Sequence, residues 1–589
     1  MSTLPKSNLT PNNPPVPQKW GIWWIKRDFR IHDNKPLTDL LCQSQEQGFQ
    51  PVTVYLLDDS LIHHPETSTH HGRMISQALA NLGIRLQVLS LPLLVFPESW
   101  ESLLGLLTKT HIQVITILSH EETGTLESYQ RDIACSQLFK DYQILWQEFP
   151  RNGVIRKLKS RDSRTKILKT RWSQPLIPKP LQPRVDLEKL KKTIPPTLQD
   201  FWINSSGLSD QWATYILEFF LASCANPWQD HWPQTQARQA ILRAYPNAIK
   251  EIPSNTESPE DGTFEALEYY QNLGIIDRTT PLQHCSEDQA WHDAKDFFTQ
   301  RGIKYSGGIS SMNTAPQAAS RFSVHLAWGT FSMNQAFKWY QKRYNQLDQE
   351  NQSTDQTSQW RRSLRSFEKR LHWHDHFVQR LEDTEDLEFF PLNKAFEGLE
   401  YPEPKEIYRR LVAWLEGKTG YPYVDACIRC LRFSGYLNFR GRAMITSFAV
   451  HGLRLPWRII LYPMAQIMAD YVPGIHLSQV QMQAGLTGIN TLRVYSPSKQ
   501  LIDQDPQCEF VRRWIPELTQ RTPGEIHGLP DLELPPYPKP IIDFALESKI
   551  FKTQYFQIKK SSLAQKESTR VLEAHGSRKP LNKKKPRNR

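Results

Sequence analysis

Arg440 and Arg442 stand two apart around Gly441 within GKTGYPYVDACIRCLRFSGYLNFRGRAM, residues 417–444. Two helical positions at that spacing differ in direction by about 200°, so the guanidinium groups cannot serve one site from one face and must have different partners. Other stretches carry chemistry-bearing types. HWHDH brings His372, His374 and His376, of which His372 and His376 share a helix face; without a carboxylate at a ligand spacing they read as packing or cofactor-lining histidines. CIRC at 427–430 is half of a zinc or redox pair inside a helix with no second half, which favours core cysteines. GKT at 417–419 lacks a phosphate loop's first glycine, because position 412 is Val412. In AASRFSVHLAWGTFS, residues 318–332, Ser320 and Ser323 can cap a helix whose N-terminus would receive a pyrophosphate.

The elements that must hold these residues fall into two patterns. Residues 20–150 alternate short apolar runs, GIWWI, VTVYLLD, RLQVLSL, IQVITILS and YQILWQEFP, with longer amphipathic pieces, which predicts a doubly wound parallel sheet with crossover helices. From about Lys157 to Glu260 the chain is proline-rich and reads as a connector with a few short helices. Beyond it apolar residues recur at helical spacing, predicting an aromatic-rich, all-α second domain. Pro422 suits a first helical turn and Gly435 a stop. The boundaries are therefore set at 1–19 for a disordered N-terminus, 20–156 for the α/β domain, 157–260 for the connector, 261–545 for the helical domain and 546–589 for a basic, disordered tail.

The 589 residues suffice for two sizeable cores. Their N-terminus lacks the apolar core of a signal peptide, and no run of eighteen apolar residues spans a membrane, so the location is read as cytoplasmic. Seven scattered cysteines fit reduced thiols. The net charge of +11 is concentrated: from Phe551 to Arg589 twelve Lys and Arg face two Glu, leaving a nearly neutral body. Such a tail strengthens nonspecific binding to nucleic-acid phosphates or acts as a solvated solubility segment.

IKRDFRIHDNKPL near the N-terminus, EFPRNGVIRKLKSRD at 148–162, EGKTGYPYVDACIRCLRFSGYLNFRGRAM and YSPSKQLIDQDPQCEFVRRWIPEL together resemble the DNA photolyase and cryptochrome family, from about Trp20 to Asp543. The resemblance implies an α/β antenna-type domain and a helical domain holding FAD. It further implies light-driven electron transfer from reduced flavin to a pyrimidine photoproduct in DNA, or light sensing without repair. An antenna chromophore of folate or deazaflavin type is left open; no metal, no membrane and a monomer are expected. Carried over by position, Ser320, Arg321, Phe322 and Ser323 match the loop around the FAD phosphates, with Ala319 in place of threonine and Tyr305 as a further contact. Phe367, Arg370, Trp373, His374 and Phe377 match the cofactor-lining segment, and Trp373 faces both adenine and substrate. Arg442 matches the arginine beside the flavin ring and Asp470 its carboxylate partner, with Val472 alongside. Arg440 and Met482 fall on the substrate side. This assigns the two arginines their different partners, with Gly441 giving room for close approach.

The pattern also breaks, which places the chain in a divergent branch. Arg370 stands where repair enzymes of the best-known type carry a glutamate, and Phe439 where they carry an asparagine. His476 falls opposite flavin N5, where it is expected to donate a proton or stabilise flavin anion according to pH. Val480 replaces the tryptophan nearest the flavin in the usual electron relay, while Trp457 keeps a middle position. Only Cys508 follows the motif helices, so no iron–sulfur cluster is expected. The leading expectation is a flavin-dependent photolyase acting on ultraviolet-damaged DNA, with Arg442, Asp470, His476 and Trp373 in the reaction. A cryptochrome-like photoreceptor signalling through the tail is the alternative, and a DNA-binding flavoprotein without photochemistry the third.

Overall fold

The structure, a computed structural model, describes residues 18–180 apart from 152, 159 and 160, then 198, 202–203, 216–220, 222–227, 229 and 231–245, and finally 283–576 apart from 350–352 and 530–531. The N-terminal segment 1–17, the boundary expected at 260 and the tail residues 577–589 lie outside these described residues.

Strands β1 (Gln18–Ile25), β2 (Gln50–Leu56), β3 (Leu93–Phe96), β4 (Ile112–His120) and β5 (Leu145–Phe149) form a parallel sheet in the order β5-β4-β1-β2-β3. Alternation along β1 explains its two-sided burial. Trp20, Ile22 and Trp24 pack on one face with α3 (Trp100–Lys109) and α4 (Leu126–Asp141), whereas Trp23 and Ile25 face α1 (Lys35–Gln47) and α2 (Thr69–Val88). Two expectations need correction. RLQVLSL is not a strand but the end of α2 and its exit, because Leu79, Leu82 and Leu86 continue the helical apolar face; the strand is LLVF after Pro92. The proline-rich connector returns to the sheet as β6 (Trp202–Ile203), antiparallel to β3.

From Glu287 onward the described chain is helical. It docks on the carboxyl ends of the strands through α5 (Phe322–Trp328), whose Val324, Ala327 and Trp328 complete the core beneath α2. Gly329, at φ +71°, closes this junction: a Cβ there would lie 2.0 Å from the Arg27 carbonyl oxygen, and its own carbonyl accepts from Arg30 at 2.9 Å. His70 and His71 on α2 bond the carbonyls of Arg432 and Met468 at 2.8 and 3.0 Å across the same junction.

The tail is expected to be disordered from residue 546; instead α11 (Phe544–Lys559) and α12 (Ser562–His575) pack on the helical domain. Phe551 and Tyr555 recur at helical spacing and are buried, Tyr555 stacked on Phe396 at 5.0 Å and Phe551 packed at a tilt against His451 at 4.5 Å, while most of the lysines remain on the solvent side. Charge density concealed that period in the sequence.

Burial pushes His70 down to about 3 and His71, His451 and His476 to about 4. Each folded pKa lies below its unfolded value near 6.5, so the unfolded chain binds protons first as pH falls. Their stabilising contribution is complete above about pH 6.5 and is lost as pH drops from there towards 4, by about 3 kcal/mol for a group displaced to 4. Urea unfolding is therefore expected to show a midpoint that declines steeply from pH 7 to pH 5. A midpoint constant over that range would contradict the buried, neutral state of these imidazoles.

Candidate cofactor and substrate site

Four helices converge on the site: α6 (Thr354–Asp383), α7 (Pro422–Ser434), α8 (Phe439–Ser447) and α10 (Pro473–Gln483), with α9 (Trp457–Gln466) behind α10. α7 begins at Pro422 and ends at Gly435, φ +72°, as its punctuation predicted. Asn438 then caps α8, accepting from the Gly441 amide at 2.9 Å and donating to the carbonyls of Ile309 and Ser310 at 3.2 and 2.9 Å. This cap fixes the helix so that Phe439 and Arg440 occupy its first turn and Arg442 its inner side. Gly441 admits Met312, whose Cε would lie 2.2 Å from a Cβ. α6 and α10 touch through backbone, since a Cβ on Gly474 would meet Val378 Cα at 2.7 Å.

Arg442 is a fixed cation. Its Nη2 donates to both oxygens of Asp470 at 2.8 and 3.0 Å and its Nε to the Leu437 carbonyl at 2.7 Å, whereas Nη1 meets only the Met468 sulfur at 3.7 Å. The pair is largely buried, so screening is weak. His476 lies behind it, buried, with Nε2 donating to the Leu461 carbonyl at 2.9 Å. Burial dominates its depressed pKa, with Arg442 adding to the depression, so the expected pH-dependent proton donor is neutral throughout the physiological range.

The opposite side of α8 is aromatic and cationic. The guanidinium groups of Arg370 and Arg440 lie 4.4 and 5.9 Å from the Phe439 ring. Phe439 is 42% and Trp373 51% exposed, and Trp373 stacks on the buried Phe377 at 5.4 Å. Arg440 and Arg442 thus have separate surroundings, as their spacing required. Met482 lies near the end of α10, half-buried.

The loop before α5 departs from the expected cap. Its N-cap is Arg321, at φ +61°, without a side-chain cap bond; Ser323 lies inside the helix and is exposed, and Ser320 Oγ accepts from the Phe322 amide at 3.4 Å. Arg321 folds onto the Pro316 carbonyl at 2.9 Å. Arg301, which the sequence reading missed, pins the loop by bonding the carbonyls of Ala319 and Ser320. Tyr305, Phe322 and Phe367 form one aromatic core behind it, Tyr305 and Phe367 5.9 Å and Phe322 and Phe367 5.7 Å apart. Asn438 was also missed, although an Asn directly before an apolar helical pattern is a legible capping signal. Val472 shares with His374 a small recess closed by Arg30 and Arg151. His374 bonds Asp375 through Nδ1 at 3.1 Å and leaves a buried Nε2 without a hydrogen-bond partner. Trp457 is buried under Arg458, whose guanidinium lies 5.0 Å from its ring.

A family model described as the FAD binding domain of DNA photolyase matches residues 367–557, and one described as DNA photolyase matches residues 21–166. The deoxyribodipyrimidine photo-lyase of Vibrio cholerae is 24% identical over 90% of this chain and 97% of that protein. That of Halobacterium salinarum is 27% identical over 38% of this chain, which spans about half, 47%, of its length. The solved cryptochrome of Synechocystis shares the fold at TM-score 0.65 and 20% identity, covering 91% of this chain and 99% of that one. The unsatisfied Nε2 of His374, the open Nη1 edge of Arg442 and the exposed Ser323 hydroxyl fit a bound FAD, since each leaves a polar group for a ligand to meet. With FAD as its cofactor, the chain belongs to the DNA photolyase and cryptochrome family.

Proposed function

We propose that the protein is a blue-light-driven photolyase acting on ultraviolet-induced pyrimidine photoproducts in DNA. The observation that carries this reading is the two-sidedness of α8, with a carboxylate-locked Arg442 within and a Phe439 flanked by Arg370 and Arg440 without, beside an exposed Trp373 one turn from Arg370 on α6. The flavin supplies light absorption and the transferable electron. Arg442 provides fixed positive charge where reduced flavin is negative, and needs no reorganisation because Asp470 already orients it. Trp373 and Phe439 offer faces on which unstacked bases rest, and Arg370 and Arg440 bind phosphate or an anionic lesion in place of carboxylate recognition.

The test is light-dependent loss of cyclobutane dimers and of (6-4) photoproducts from irradiated DNA by chemically reduced protein. One lesion is expected to disappear at least tenfold faster in blue light than in the dark. Persistence of both, with FAD bound and responsive to light, would overturn the repair reading in favour of a photoreceptor. No helix among the described residues is long and apolar enough to cross a membrane.

A further inference from the structure

Tyr471 follows Asp470 in the chain, and its ring lies 5.4 Å from that of His476. It is buried, and its hydroxyl donates to Glu66 Oε2 of the α/β domain at 2.6 Å, a carboxylate that is itself buried. On its other side the ring stacks on His71 at 5.6 Å, and His71 stands 5.6 Å from Trp328. Burial, together with the Glu66 charge, raises the Tyr471 hydroxyl well above the usual range, so the phenol is protonated at rest. A buried phenol hydrogen-bonded to a carboxylate is suited to one-electron oxidation, because the acidic radical cation that would otherwise form can pass its proton along an existing hydrogen bond.

The tryptophan positions offer less. Val480 cannot donate an electron, and the Arg458 guanidinium over Trp457 opposes positive charge on that ring. We propose that Tyr471 is the residue that supplies an electron to the photoexcited oxidised flavin, with Glu66 as the proton acceptor. One electron leaves Tyr471 for the excited FAD; the phenolic O–H bond breaks, an O–H bond forms on Glu66, and a neutral tyrosyl radical remains. The proposal rests on FAD as the cofactor and is independent of the repair reading, whose assay starts from chemically reduced protein.

The experiment uses the full-length protein loaded with oxidised FAD, illuminated with blue light under anaerobic conditions with dithiothreitol as the external reductant. Electron paramagnetic resonance of samples frozen during illumination is expected to show a tyrosyl radical that disappears in Tyr471→Phe, with flavin bleaching at least tenfold slower per bound FAD. Glu66→Gln retains the ring and removes the proton acceptor; it is expected to slow bleaching at least fivefold and to abolish the solvent deuterium effect expected of the wild type. A tryptophanyl radical in the wild type, or bleaching of Tyr471→Phe at the wild-type rate, overturns the assignment. Should Tyr471→Phe fail to retain FAD, Glu66→Gln decides: unchanged bleaching with an unchanged deuterium effect also overturns it.

Discussion

Replacing Arg442 with glutamine is expected to reduce FAD occupancy of the purified protein at least tenfold and to lower the midpoint potential of the flavin that remains. The guanidinium is held by two bonds to Asp470 and one to the Leu437 carbonyl, and the carboxylate side chain is only 6% exposed. Removing the cation leaves Asp470 as an uncompensated charge, a loss of about 3–5 kcal/mol for a buried pair. A remaining anion beside a cofactor that becomes more negative on reduction opposes both binding and reduction. Charge-assisted hydrogen bonds contribute about 1.5–3 kcal/mol, which corresponds to about 30–65 mV for a two-electron couple. Asp470→Asn is expected to act with the opposite sign on the potential, because it removes negative charge and leaves the cation. Opposed shifts, read by reductive titration of the two variants, would identify an electrostatic role. Equal shifts, or none, would leave the pair a structural contact and remove the central support for the proposed chemistry.

The two-domain division and the placement of Arg440 and Arg442 were legible because each rests on local geometry. Parallel strands buried on both faces give continuous apolar runs, and a 200° separation on a helix admits no common partner. Pro422 and Gly435 delimited their helix for similarly local reasons. What escaped was long-range or competitive. RLQVLSL is apolar enough for a strand, but Leu79, Leu82 and Leu86 commit it to the helix already begun at Thr69. In α11 the spacing of Phe551 and Tyr555 was present in the sequence, and the lysines around them outweighed it in a reading by charge. The loop at 319–323 depends on Arg301, about twenty residues upstream, and its αL residue is not a glycine. The bond from Tyr471 to Glu66 joins positions 405 apart in sequence, which no spacing rule anticipates.

Asp425→Ala is expected to be the most destabilising single substitution in residues 417–444, and its effect explains why GKTGYP resembles a phosphate loop without being one. The Asp425 carboxylate is fully buried; Oδ1 accepts from the Thr419 amide at 2.9 Å and its hydroxyl at 2.6 Å, while Oδ2 accepts from the Gly420 amide at 3.1 Å and the Tyr537 hydroxyl. The residues before α7 are therefore turned inward onto a carboxylate of their own chain, and their amide donors are consumed there. Burial opposes ionisation of Asp425, while the donors from Thr419 and Tyr537 and the Arg429 charge counter it. Truncation to alanine leaves at least three buried donors without acceptors, at about 1–3 kcal/mol each, against total stabilities of about 5–15 kcal/mol. Loss of at least 4 kcal/mol is expected, read as a Tm lowered by about 6 °C or more, with flavin released in the same transition because α7 supports α8. Asp425→Asn keeps one acceptor oxygen and turns its amide donor towards donors, so an intermediate loss is expected. If Asp425→Ala unfolds within 2 °C of the wild type, the clasp does not hold the base of the site, and the inward turn of Thr419 and Gly420 would need another cause.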